Sequence, residues 1–114
     1  MSKIYFVVLV AILTVISTKT VNGAELHGKF SYGGKLTEFT VDVKCGDWSR
    51  EKLPIAGNGK IYVRGLPGNR NCYLTVDHSG YKRSPRVLFS TRSSVVSIVA
   101  TLKIRNGQII VLSR

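Results

Sequence analysis

The sequence predicts an all-β fold: one small, seven-stranded antiparallel β-sandwich closed by a single disulfide. Three observations carry this. Apolar and polar residues alternate with a period of two along most of the chain beyond residue 24. Turn residues recur at short intervals between the alternating runs, and both cysteines fall on the apolar parity of their runs. No convincing helical period appears.

The elements follow in order. Residues 1–23 are expected to be a signal peptide. Lys3 gives a basic start, Ile4 to Ile16 is an apolar run of 13 residues, and STKTVNG ends in small residues, placing the cut between Gly23 and Ala24. That run is short for a membrane span, and no second one follows, so no transmembrane segment is expected after cleavage. Residues 24–114 form the single domain. Leu26, Gly28, Phe30 and Tyr32 share one parity, and Gly33-Gly34 reads as a tight turn. Phe39, Val41, Val43 and Cys45 face the core, with Glu38, Thr40, Asp42 and Lys44 on the other side. GDWSREKLP reads as a polar loop, because Pro54 argues against a central strand.

Gly57-Asn58-Gly59 is a turn, and Ile61 and Val63 resume the alternation. After the turn-rich GLPGNRN, Cys72, Leu74 and Val76 face inward. Val87 to Phe89 is a short strand, and Val96, Ile98, Ala100, Leu102 and Ile104 form the longest alternating run. Asn106-Gly107 suits a type I′ hairpin turn before the closing strand, Ile109 to Leu112.

The leader implies an oxidising compartment, extracellular or periplasmic, so Cys45 and Cys72 are expected to pair. In the chain-entropy picture the loop they close is worth roughly 3.5 kcal/mol. Paired, Cys72 is no nucleophile, and two Cys and two His without clustered spacing make no zinc pattern. No cofactor is expected. The net charge of +11 becomes +9 once Lys3 and Lys19 leave with the leader. A basic secreted domain is drawn to polyanions such as glycans, envelope polymers and anionic lipid. Nucleic acid is disfavoured, because no RNA- or DNA-binding motif is present.

GKIYVRGLPGNRNCYLTVDHSGY resembles the central stretch of transthyretin-like (prealbumin-like) domains, including the regulatory-like domains of carboxypeptidases. Gly59, Tyr62, Val63, Gly65 and Leu66 carry the first part of the likeness; Tyr73, Leu74, Val76, Gly80 and Tyr81 carry the second. FTVDVKC sits where that family has a Val-rich strand, and one Cys on each of these strands also resembles secreted pollen Ole e 1-type domains. The resemblance implies a transthyretin-like or immunoglobulin-like sandwich, an architecture that hosts many functions. The enzymatic branch of the wider family hydrolyses hydroxyisourate with a histidine and arginine set and a C-terminal Tyr-Arg-Gly-Ser. This chain has Val-Leu-Ser-Arg there, so the resemblance does not imply that activity.

Asp77-His78-Ser79 names the members of a catalytic triad, but in consecutive positions that diverge on a strand or turn. Gly57-Asn58-Gly59-Lys60 lacks the spacing of a phosphate loop. The dibasic Lys82-Arg83 lies between predicted strands, where cleavage would split the sandwich. The remaining candidate is an anion site built from the basic loop: Tyr81, Lys82, Arg83 and Arg86, with His78 near and Arg64 and Arg70 around the preceding loop. The competing reading is an ordinary solvated loop. Trp48 is expected to pack over the disulfide rather than to anchor a partner.

The expected function is therefore non-enzymatic binding of an anionic glycan, envelope polymer or similar surface, with host defence as one setting for it. The alternative is an extracellular protein–protein module using a sheet edge or face, with Val95, Val99, Ile109 and Val111 as its contact surface.

Overall fold

A computed structural model describes residues 23–113. The predicted leader lies outside the described residues apart from Gly23. Eight strands form: β1 (Ala24–Ser31), β2 (Thr40–Cys45), β3 (Trp48–Pro54), β4 (Lys60–Leu66), β5 (Asn71–Asp77), β6 (Val87–Ser90), β7 (Val95–Arg105) and β8 (Gln108–Ser113). They make two four-stranded sheets, sheet A in the order β4-β1-β7-β8 and sheet B in the order β3-β2-β5-β6. Inward side chains of both sheets form one core that includes Leu26, Phe30, Phe39, Val41, Leu74, Val76, Leu102 and Ile109.

The all-β class and the single disulfide hold, but eight strands form where seven are expected, and three details differ. First, GDWSREKLP is not a loop. Cys45 pairs with Trp48 across a two-residue turn, and β3 runs back along β2 as an edge strand. Its alternation is invisible because an edge strand of this kind hides almost nothing. The positive φ of Lys52 and the register shift opposite Val41/Val43 bend it away from further pairing, and Pro54 ends it where no donor is needed.

Second, Gly33-Gly34 closes no hairpin. It lies on the crossing from β1 in sheet A to β2 in sheet B, followed by a 3-10 turn at Leu36–Glu38. Third, the sandwich is not wholly antiparallel, since β1 and β7 run parallel from Glu25↔Val95 to Ser31↔Thr101.

Asn106 and Gly107 both have positive φ, 51° and 76°, and join β7 to β8 as the sequence predicts. The disulfide Cys45–Cys72 is present, with both residues buried. It links neighbouring strands: Lys44 pairs with Tyr73, so the cysteines are the next pair along the β2–β5 ladder. Trp48 is half-buried against the core beside Cys45, with the Arg50 guanidinium 5.7 Å from its ring centre.

Candidate functional site: the cationic face of sheet A

The predicted basic loop is a fastened strap. Lys82 N–H donates to the Gly107 carbonyl at 2.8 Å, and Ile109 N–H donates to the Lys82 carbonyl at 3.1 Å. Gln108 Nε2 donates to the Arg83 carbonyl at 3.2 Å. Ser84 is buried; its N–H donates to Val76 O, and its hydroxyl accepts the Val76 N–H at 2.8 Å. The segment thus ties the end of β5 in sheet B to the β7–β8 hairpin in sheet A.

Its cations have different surroundings. Arg83 donates from Nε to Asp77 at 2.7 Å and from Nη2 to Asp42 at 3.1 Å. The hydrogen bond to Asp77 is the main reason its guanidinium holds its proton more tightly than usual. Two carboxylates already neutralise it. The Arg86 guanidinium carbon lies over the Tyr73 ring, 4.3 Å from its centre, and Lys82 belongs to no ion pair among the described residues.

His78 is held from three sides. Its Nδ1 accepts the Gly80 N–H at 2.9 Å, which leaves Nε2 to donate to Glu38 at 3.1 Å. Its ring packs between Phe39 and Tyr81, each 4.8 Å away. Asp77 and His78, consecutive in sequence, therefore bind different partners. Nearby, burial chiefly, and then Tyr81, raises the Tyr32 hydroxyl pKa.

The seven candidates do not converge. Arg70 lies over the Gly46 turn at one end of β5, and Tyr81 lies beyond the other end, about 20 Å along the strand. Arg83 and Arg86 reach over the outer face of sheet B, where their partners Asp42 and Tyr73 stand in a depression of about 280 Å³ with Lys44, Glu51 and Thr75. Arg64 is on β4, in the other sheet.

A different concentration of charge emerges once the strands are assigned to sheets. The strands of sheet A carry Lys29, Lys60, Arg64, Lys103 and Arg105 against a single carboxylate, Glu25. All six charges share the outward parity, opposite buried residues such as Leu26, Phe30, Val63 and Leu102. The strands of sheet B carry Lys44, Arg50 and Lys52 against Asp42, Glu51 and Asp77, an even balance.

Lys29 and Lys60 are direct cross-strand partners, and neither belongs to an ion pair among the described residues. Like charges in that relation oppose folding. Beside them, His27 meets Tyr62 edge-on at 4.6 Å, over a depression of about 440 Å³ that also borders Lys29, Lys60 and Val99.

Glu25 is held within this face. Arg64 Nε donates to the Tyr62 hydroxyl at 2.9 Å, and His27 Nε2 lies 3.3 Å from the Glu25 carboxylate. Hydrogen bonds from Tyr62 first, then His27, hold the Glu25 carboxyl below its usual range. The sequence signal for this face was present but dispersed. Each basic residue sits on the polar parity of its own run, and only the order β4-β1-β7-β8 gathers the runs into one surface.

The exposed apolar residues also need correction. Val95 and Val99 do face outward, but Ile109 is fully buried and Val111, partner of Leu102, faces the core. The outward residues of β8 are Gln108, Ile110 and Leu112, partners of Arg105, Lys103 and Thr101. No protein-family model matches the chain, and no curated protein matches it significantly in sequence.

Proposed function

We propose that the chain is a small secreted, non-enzymatic binding protein of transthyretin-like build that recognises an anionic surface through the outer face of sheet A. One observation carries the reading: five cations and one carboxylate on the strands of that sheet, with Lys29 set against Lys60 and no acidic partner for either among the described residues. An anion lying across the two lysines would relieve a repulsion that the fold otherwise bears.

Two further features support parts of this reading. β1 and β2 lie in different sheets, and β1 runs between β4 and β7; in an immunoglobulin domain the first two strands are neighbours in one sheet. That favours the transthyretin-like over the immunoglobulin-like alternative. The disulfide fits an oxidising compartment, and no described helix is long and apolar enough to cross a membrane.

Retention on immobilised heparin tests the reading. Wild type is expected to elute at high salt, and a Lys29→Ser/Lys60→Ser/Lys103→Ser variant at much lower salt. A Lys82→Ser/Arg86→Ser strap variant should lose less. Equal elution of all three proteins would remove sheet A from the reading. The alternative, a protein–protein module, is favoured by the exposure of Leu88 on the β6 edge, 77%. Salt separates the two, because an apolar interface does not weaken as salt rises.

A further inference from the structure

We infer that the anionic ligand of sheet A is the surface of a lipid bilayer carrying acidic headgroups; this rests on the reading of that face as the anion-binding surface. The argument comes from what stands among the cations. Tyr62, Val95, Val99 and Leu112 are 49%, 51%, 42% and 42% exposed, and all four lie on the outward parity of sheet A. Lys29 has Lys60 on one side and Val99 on the other, and Lys103 pairs with Ile110. Basic and apolar side chains are thus interleaved across one surface.

A soluble polyanion has use for the ammonium groups alone and leaves these apolar side chains in water. A bilayer interface satisfies both kinds at different depths: lysine heads at the phosphates, with Val, Leu and the body of Tyr just below them. Tyrosine is a residue of that boundary, with an apolar ring and a polar tip.

The geometry also fits. Four adjacent strands present the residues over about 14 Å, and Val95 to Leu112 spans about 20 Å along the strands, an area of several headgroups. The strands of sheet B are balanced in charge, and of the two arginines that reach over them Arg83 is paired with Asp42 and Asp77, so Arg86 is the one unpaired cation added there and an anionic bilayer would orient the sandwich with sheet A toward it.

The experiment is cosedimentation of the disulfide-bonded protein, as secreted and with its N-terminus read by mass spectrometry. It is run with vesicles of phosphatidylcholine alone and of phosphatidylcholine mixed with phosphatidylglycerol, and heparin retention is measured in parallel. Wild type is expected on the acidic vesicles and not on the neutral ones. Lys29→Ser and Lys60→Ser should each weaken vesicle binding about fivefold. Val99→Ser/Leu112→Ser should weaken vesicle binding while leaving heparin elution unchanged, and circular dichroism verifies that each variant is folded.

Retention on heparin without vesicle binding overturns the bilayer inference and leaves the anion-binding reading standing, as does vesicle binding insensitive to the apolar pair. Failure on both matrices overturns the two together and directs attention to a protein partner.

Discussion

Lys29 stands directly opposite Lys60 across the β1–β4 ladder, with no ion pair to either lysine among the described residues. Two ammonium groups in that relation lower stability, and a carboxylate in place of one reverses the sign. Lys60→Glu is therefore expected to raise stability by about 0.5 kcal/mol in urea denaturation, and to cut heparin retention more than Lys60→Ser does. Improved folding with impaired binding is the signature of a residue pair kept for a ligand. A less stable Lys60→Glu protein would show that the pair is not repulsive.

Arg83 makes the opposite prediction. Its guanidinium bridges Asp42 and Asp77, carboxylates of neighbouring strands β2 and β5. Arg83→Gln removes the shared cation and leaves two like charges near each other. A loss of about 1 kcal/mol is expected, smaller in high salt, with heparin retention nearly unchanged because the charge is already compensated. A large drop in retention from this one substitution would return the strap to the binding surface.

These two pairs show what was legible in the sequence. The strands whose two faces differ, such as Phe39–Cys45 and Val96–Ile104, announced themselves by alternation, and Asn106-Gly107 announced its hairpin by turn chemistry. The Cys45–Cys72 bond followed from compartment and count. β3 did not show, because an edge strand with little buried surface leaves no pattern. The cationic face of sheet A did not show for a related reason. Lys82, Arg83 and Arg86 are close in sequence, and closeness in sequence drew attention to them. Lys29, Lys60 and Lys103 are close only through the strand order, and the β1–β7 parallel pairing behind it has no local signature.

Two glycines with similar backbones should differ sharply in tolerance. Gly59 has φ 87°, and a Cβ there would run into the Phe30 carbonyl oxygen. That contact is backbone on backbone, since Phe30 N–H donates to Gly59 O at 2.8 Å and fixes the β4 entry against β1. Gly107 has φ 76° with open space around it. Gly107→Ala is expected to cost about 1 kcal/mol from conformation alone, and Gly59→Ala about 3 kcal/mol or more. Thermal melts of the two variants decide this, and equal shifts would mean that the Gly59 approach relaxes freely.

The Glu25 carboxyl supplies a prediction in pH. Tyr62 is the largest cause of its lowered pKa, followed by His27. A carboxyl held below its unfolded value stabilises the fold above that value, and the contribution is lost as pH falls through the folded one. Tyr62→Phe removes the hydroxyl and keeps the ring that packs on His27. The Glu25 midpoint, followed by NMR through its side-chain carboxyl carbon, is expected to rise toward the ordinary glutamate range, and stability should depend less on pH through the acid region. Because Glu25 is the single acid on the strands of sheet A, a higher midpoint also makes that face more cationic at mildly acidic pH. Acidic-vesicle binding by Tyr62→Phe should therefore strengthen on acidification earlier than that of wild type. An unmoved midpoint would transfer the effect to His27 and Arg64.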